Sequence, residues 1–179
     1  MKVWRRATVV ALLLTLWAGW AADRRSSPAA GRFDPELRPA ILYFGHPEAM
    51  GVTPEVRWVR PEQLTPEWLL QALVAGPLDP GLVPVIPPAA RVLGVERRGE
   101  TITVDFSAAI VRDHPGGSAG EIMTVYSVVN TLTELPGVRE VRWRVEGRQV
   151  ETLVGHLDLS GPLTRSADVI VPRWLRPRR

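Results

Sequence analysis

A glycine-rich turn, DHPGGSAGEI at residues 113–122, lies between a strand-like run and a helix-like run. Such turns often hold a phosphate at the start of a helix, where free backbone N–H groups favour an anion. This one lacks the lysine of a phosphate loop, and Glu121 in the first helical turn would repel a phosphate. Ser118 and Glu121 have the spacing of a capping box, in which each side chain satisfies an N–H group at the helix start. The turn therefore predicts a self-capped helix rather than an anion site.

Other residue types with catalytic potential are scattered. Asp105, His114 and Ser118 are the types of a catalytic triad, but alternation places Asp105 on the solvent side of a strand and no nucleophile elbow is present. The histidines at 46, 114 and 156 lack metal-ligand spacing. The chain has no cysteine, which excludes disulfides, thiolate nucleophiles and lipid attachment at cysteine. We expect no catalytic residue, no metal site and no cofactor.

Two helices and a hairpin are predicted from periodicity. The first helix begins in TPEWLLQALVAGP, where Thr65 is the expected cap and Pro66 the first helical residue, and it ends at Gly76. Strands are expected at about 91–97 and 101–107, joined by a turn at residues 98–100.

The second helix is predicted at about 119–135 and a last strand at 140–147. Four polar residues fall opposite the apolar stripe of this helix, and two arginines alternate with core residues on the strand. We interpret these six as a possible interaction surface: Ser127, Asn130, Thr131, Glu134, Arg142 and Arg144. The tryptophans at 58, 68 and 143 are expected to face the core.

The order helix, strand, strand, helix, strand, preceded by one or two strands (40–44 and 56–60), is typical of an α+β domain. We predict a small two-layer sandwich, with two helices packed on one face of a three- to five-stranded sheet.

The N-terminus has the pattern of an export signal. A basic start, MKVWRR, precedes an uncharged, mostly apolar run at residues 7–22. We expect residues 1–22 to be a signal peptide or a membrane anchor, 23–39 a flexible linker, 40–160 the folded domain and 161–179 a basic tail. The domain is then expected outside the cytoplasm, either secreted or anchored at the outer face of the membrane.

The charge distribution argues against nucleic acid as a partner. Residues 1–39 carry seven Lys/Arg and three Asp/Glu, a net charge of +4, and residues 161–179 carry five and one, also +4. Residues 40–160 carry ten and fifteen, a net charge of −5. A duplex-binding face needs basic residues clustered on the folded domain.

Several ordered motifs resemble those of the GerMN domain of bacterial sporulation and spore-germination proteins. They are LVAGP (73–77), TVDFS (103–107), GSAGE (117–121) and VVNTLTELPGVREVRWRVEG (128–147). The resemblance covers roughly residues 40–155. It implies a non-catalytic extracytoplasmic module, often membrane-tethered, with a fold similar to ring-building motifs. The chain differs from the family pattern in carrying one copy and no lipid-attachment cysteine.

Three functions remain open from the sequence. The first is a binding or scaffolding module of the cell envelope, whose partners are envelope proteins or further copies of itself, held at the membrane by its N-terminal segment. The second is an accessory subunit that modulates a membrane receptor. The third is a hydrolase of envelope polymers, which would need converging carboxylates.

Overall fold

The computed structural model describes residues 34–48 and 51–172. The described residues from Glu36 onward belong to one compact unit. The predicted export segment at 1–22, most of the predicted linker and residues 173–179 of the predicted tail lie outside the described residues. Within the described ranges, no helix is both long and apolar enough to cross a membrane.

Seven strands, three helices and one 3-10 turn follow one another in the described residues. In chain order they are β1 (Arg38–Gly45), β2 (Val52–Val59), the 3-10 turn (Pro61–Gln63), α1 (Pro66–Ala75), β3 (Val92–Arg98), β4 (Thr101–Phe106), α2 (Ala109–Arg112), α3 (Ser118–Leu132), β5 (Glu140–Val145), β6 (Arg148–Gln149) and β7 (Leu163–Thr164).

The strands form two sheets. β1 and β2 are an antiparallel hairpin in which Ile41 pairs with Val56. In the five-stranded sheet β3 pairs antiparallel with β4, and β4 pairs parallel with β5. The two-residue strands β6 and β7 both pair with β5, near its end and its start respectively. The parallel β4–β5 pair requires a crossover, and α2 and α3 supply it.

One hydrophobic core joins the two sheets and the helices. α1 packs on β1 and β3, and α3 packs on α1, β1 and β5. Fully buried side chains come from every layer, including Phe44, Leu70, Val128 and Trp143. Trp143 stacks on Phe106 with ring centroids 5.3 Å apart. The α+β class predicted from the sequence is confirmed, and the separate β1–β2 hairpin adds a second sheet to it.

Local chemistry explains where α1 begins and ends. The Thr65 hydroxyl accepts a hydrogen bond from the Trp68 N–H (3.2 Å), and Pro66 stands first in the helix, where a missing N–H has no cost. Gly76 follows the helix with a φ of 90°, which a residue with a Cβ rarely adopts.

The hairpin strand β2 is inverted relative to the sequence prediction. Glu55 is 5% exposed, whereas Val56 and Trp58 are 51% and 52% exposed. The inward position of Glu55 is stabilised by an ion pair with Arg57 (2.7 Å) and by the N–H groups of Leu78 and Asp79. The prediction that Trp58 faces the core is therefore wrong, because this buried pair occupies the inner side of β2.

The folded unit extends beyond the predicted limit at residue 160. Leu163 and Thr164 form β7 on the edge of β5. Further on, the Val52 N–H donates to the Val169 carbonyl and the Val171 N–H to the Val52 carbonyl, both at 2.8 Å. Residues 161–172, which we call the C-terminal strap, thus connect the five-stranded sheet to the hairpin. The prediction of residues 161–172 as part of a tail is wrong.

Candidate functional site

Three of the six predicted surface residues are buried. Ser127, Asn130 and Thr131 are each 0% exposed. The Thr131 hydroxyl accepts a hydrogen bond from the Tyr43 N–H (3.0 Å). This bond satisfies a backbone N–H of β1 that makes no hydrogen bond with β2. The Asn130 amide both donates to and accepts from the Ser166 backbone, at 3.0 Å each. The prediction of an exposed polar face on α3 is wrong, since β1 and the C-terminal strap cover that face.

Glu134, the fourth predicted residue, lies in a polar cluster with Tyr43 and Arg165. Its carboxylate pairs with the Arg165 guanidinium (2.6 Å) and accepts a hydrogen bond from the Tyr43 hydroxyl (2.7 Å). The Arg165 guanidinium also lies over the Tyr43 ring, 5.2 Å from its centroid. Burial, followed by the hydrogen bond to Glu134, raises the pKa of Tyr43. Glu134 therefore holds the strap against α3.

Arg142 and Arg144 do lie on the exposed side of β5, as predicted. Because residues paired in register share a face of the sheet, Arg142 stands beside Thr103 and Arg144 beside Asp105. Both arginines line a cleft of about 140 Å³, completed by Thr103, Trp143, Gln149, Leu159 and Gly161. The segment after β5 forms one wall of this cleft and the solvent side of the sheet forms its floor.

The two arginines of this cleft make few direct contacts with carboxylates. The closest carboxylate to Arg144 is that of Glu96, at 3.9 Å, the outer limit for an ion pair. Asp105, next to Arg144 in register, accepts a hydrogen bond from the Gly147 N–H (3.0 Å). Within the described ranges, the Arg142 side chain makes no hydrogen bond or ion pair. Two arginines at alternate positions of one strand, with Cα atoms about 7 Å apart, can bind a carboxylate or another planar anion.

The glycine-rich turn starts α3, but the predicted capping box is absent. The cap position is occupied by Gly117, which has no side chain to accept a hydrogen bond, and Ser118 is exposed. Glu121 is buried instead and reaches the loop at 152–156, which lies 31–35 residues further along the chain. Its carboxylate accepts hydrogen bonds from the Thr152 hydroxyl (2.6 Å) and from three backbone N–H groups, those of Leu153, Val154 and His156.

His114, in the same turn, makes hydrogen bonds through both of its ring nitrogens. Its Nδ1 accepts a hydrogen bond from the Gly116 N–H (2.9 Å), so the proton of the neutral ring is on Nε2, which lies 3.0 Å from the Thr124 hydroxyl. That hydroxyl in turn donates to the Val85 carbonyl (2.6 Å). The Gly116 N–H is thereby used within the turn rather than presented to an anion.

The residue types of the imagined triad are not assembled. The Asp105 carboxylate accepts a hydrogen bond from the Gly147 N–H, and the His114 ring is hydrogen-bonded to Gly116 and Thr124. Ser118 is exposed. Within the described ranges no three His, Asp or Glu side chains are grouped as metal ligands. The arginine cleft is therefore the candidate site.

The sequence spacing assigns Glu121 to a capping box rather than to the loop at 152–156, and sequence reasoning missed Tyr43 and Arg165. Each forms contacts with residues more than 30 positions away, and periodicity carries no information at that separation.

The family model for Germane, described as sporulation and spore germination, matches residues 41–151. The chain belongs to this family. Two solved structures from Bacillus subtilis are similar to it: the first GerMN domain of the sporulation protein GerM (TM-score 0.59, 23% identity, 72% of this chain and 98% of that one) and the tandem GerMN domains of GerM (TM-score 0.61, 20% identity, 80% and 51%). This Germane chain thus spans about half of the tandem.

A lipoprotein candidate from Clostridium perfringens has the same fold, with a TM-score of 0.53 at 23% identity over 72% of this chain and 87% of that one. The chain has no match among the curated proteins. At these identities the solved structures show that the fold is shared, and they confirm the resemblance to GerMN domains stated from the sequence.

Proposed function

We propose that this Germane domain is a non-catalytic binding module of the bacterial cell envelope, and that it binds an acidic partner through the arginine cleft. The observation that carries the proposal is the pair Arg142 and Arg144 on a sheet face opposite the helices, lining one cleft with weak internal compensation. Family membership supports a role connected with sporulation or germination. The export-like N-terminus and the lipoprotein candidate among the structural neighbours support a location outside the cytoplasm.

Another protein, rather than Glu134 of a second copy, supplies the acidic group. The six surface residues predicted from the sequence would also allow Glu134 of one copy to contact the two arginines of the next, as in a ring. In the structure Glu134 is already paired with Arg165 and Tyr43. To pair with an exposed arginine of another copy, Glu134 would have to give up its bonds to Arg165 and Tyr43. A solvent-exposed ion pair contributes little free energy, so the exchange would stabilise the contact very little.

The test is charge reversal within the cleft. The double variant Arg142→Glu/Arg144→Glu should lose binding of the full chain to the envelope fraction of its native host, measured by sedimentation with washed envelopes at low and high salt. The control, Arg112→Glu/Arg148→Glu, makes the same change of net charge at two other exposed arginines. Loss of binding in the cleft variant alone supports the proposal. Equal binding by the wild type and both variants, or equal loss in both variants, contradicts it.

A further inference from the structure

The outer face of the β1–β2 hairpin is apolar at one end. Ile41 pairs with Val56 and Pro39 with Trp58, so these four side chains share the face that points away from the core. We call them the hairpin patch. Val56 and Trp58 are about half exposed, and Pro39 is exposed. A strand that buries a glutamate and exposes a tryptophan reverses the usual pattern, and a cluster of exposed apolar side chains is a candidate interaction surface.

The hairpin patch has defined limits on this face. At one end of β1, Tyr43 is covered by Glu134 and Arg165. The exposed part lies at the opposite end, where the chain enters β1 at Arg38. Arg60, just beyond the end of β2 and two residues after Trp58, is exposed at the same end of the hairpin. The patch is therefore apolar, with an exposed arginine next to it in the chain.

The charge distribution distinguishes the hairpin side of the domain from the rest. Residues 34–172, which the structure describes but for two positions, carry twelve Lys/Arg and eighteen Asp/Glu, a net charge of −6, whereas residues 1–33 carry +5 and residues 173–179 carry +4. The N-terminal basic segment joins the described unit at β1. The C-terminal one follows Pro172, next to Val171, whose N–H donates to the Val52 carbonyl of β2. The N-terminal segment therefore connects at the end of the hairpin that carries the patch, and the C-terminal one at the opposite end, beside Val52. An anionic surface attracts these basic segments and repels the acidic body, so the hairpin, where both connect, is the side expected to face it.

We propose that the hairpin patch docks on an anionic lipid bilayer, with Trp58, Val56 and Ile41 at the interface and Arg60 at the headgroup phosphates. The proposal rests on the envelope location in the proposed function. Tryptophan favours the interface because its ring is apolar and its N–H is polar, and a basic residue close to an anionic surface adds attraction. From the apolar run at 7–22, a linker of 15 residues reaches at most about 50 Å to β1, so an anchored domain samples the bilayer surface constantly.

The absence of cysteine from the sequence allows a direct test in the full chain, reconstituted in vesicles with and without phosphatidylglycerol. A fluorophore is attached at Val56→Cys or, as a matched control, at Leu93→Cys on β3; both side chains are 51% exposed in the wild type. In the anionic vesicles a nitroxide on the lipid chains should quench the label at residue 56, and iodide in the water should not. The label at residue 93 should show the reverse. Adding Arg60→Ala should lower the docked-to-undocked ratio about fivefold, equivalent to about 1 kcal/mol per basic residue at the surface.

Each other outcome overturns the proposal. Equal lipid quenching at both positions would mean that the tether alone brings the domain close to the bilayer. Protection of residue 56 from iodide without lipid quenching would mean that protein covers the patch, either a second copy, if the protection depends on concentration, or the chain's own terminal residues. Failure of the chain to float with anionic vesicles would also contradict membrane docking. The variant Arg142→Glu/Arg144→Glu should leave the quenching unchanged, so failure of the arginine cleft and failure of membrane docking are read separately.

Discussion

Glu121 shows at the residue scale how a buried charge is accommodated here. Burying a carboxylate is costly unless hydrogen bonds replace its hydration. Four donors from the loop at 152–156 do so, at 2.6–3.0 Å. Burial acts to raise the pKa of Glu121, but the hydrogen bonds outweigh it and hold the pKa below its ordinary value. The side chain therefore joins the first turns of α3 to a distant loop.

Glu121→Gln should lower the free energy of unfolding by about 3 kcal/mol, because it places an NH₂ group against buried donors. Ser118→Ala should change it by less than about 0.5 kcal/mol, since Ser118 is exposed and does not cap the helix. Urea midpoints at neutral pH measure both. A larger loss for Ser118→Ala than for Glu121→Gln would restore the capping box and contradict the structure.

His114 should make the stability depend on pH near neutrality. Burial lowers its pKa, against a smaller opposing effect of the Glu121 charge. Because the folded form holds the proton less tightly than the unfolded form, the stabilisation is full above about pH 6.5 and is lost as the pH falls toward the lowered pKa. Melting temperatures between about pH 8 and pH 5 should fall more steeply for the wild type than for His114→Gln. Parallel curves would show that His114 contributes nothing to this slope.

At the scale of elements, the C-terminal strap is the piece that connects the two sheets. It pairs with β5, contacts Asn130 of α3 through Ser166, and bonds to Val52 of β2. Gly51, just before β2, lies so close to the strap that a Cβ there would stand 2.5 Å from the Val169 carbonyl oxygen. Only a residue without a side chain allows this approach of two backbones.

Gly51→Ala should therefore destabilise the domain by about 1–3 kcal/mol, since the backbone of the strap must move. The control is Gly161→Ala at the beginning of the strap, where a Cβ would meet nothing within 4 Å. That change should be neutral or slightly stabilising. Denaturant midpoints of the two variants give the comparison. Equal effects would mean that the strap does not depend on the close contact at Gly51.

At the scale of the whole molecule, the folding unit should be residues 34–172 rather than one ending at 160. Removing the strap exposes Asn130 and leaves Glu134 without Arg165. The longer fragment should unfold in one cooperative transition. The fragment 34–160 should melt lower and show faster hydrogen exchange in α3 and β2. Identical melting curves would show that the strap packs on the domain without stabilising it.

Local sequence patterns were sufficient to predict much of the fold. The capping threonine and first-turn proline of α1, the β3–β4 hairpin and the alternation of β5 were predicted correctly, because each depends on residues within a few positions of one another. The placement of Arg142 and Arg144 on the exposed face follows from the same alternation. The motifs were also sufficient to identify the family.

Tertiary structure alone decided which polar residues are buried. Periodicity separates the apolar side of α3 from its polar side, but it does not show that β1 and the strap cover the polar side as well. Small hydroxyl and amide side chains such as Thr131 and Asn130 can be buried there because distant backbone groups satisfy them. In the same way, the ion pair of Glu55 and Arg57 turns Val56 and Trp58 outward. Sequence by itself determined the longer helices and strands and the family, whereas long-range hydrogen bonds determined which surfaces remain for partners.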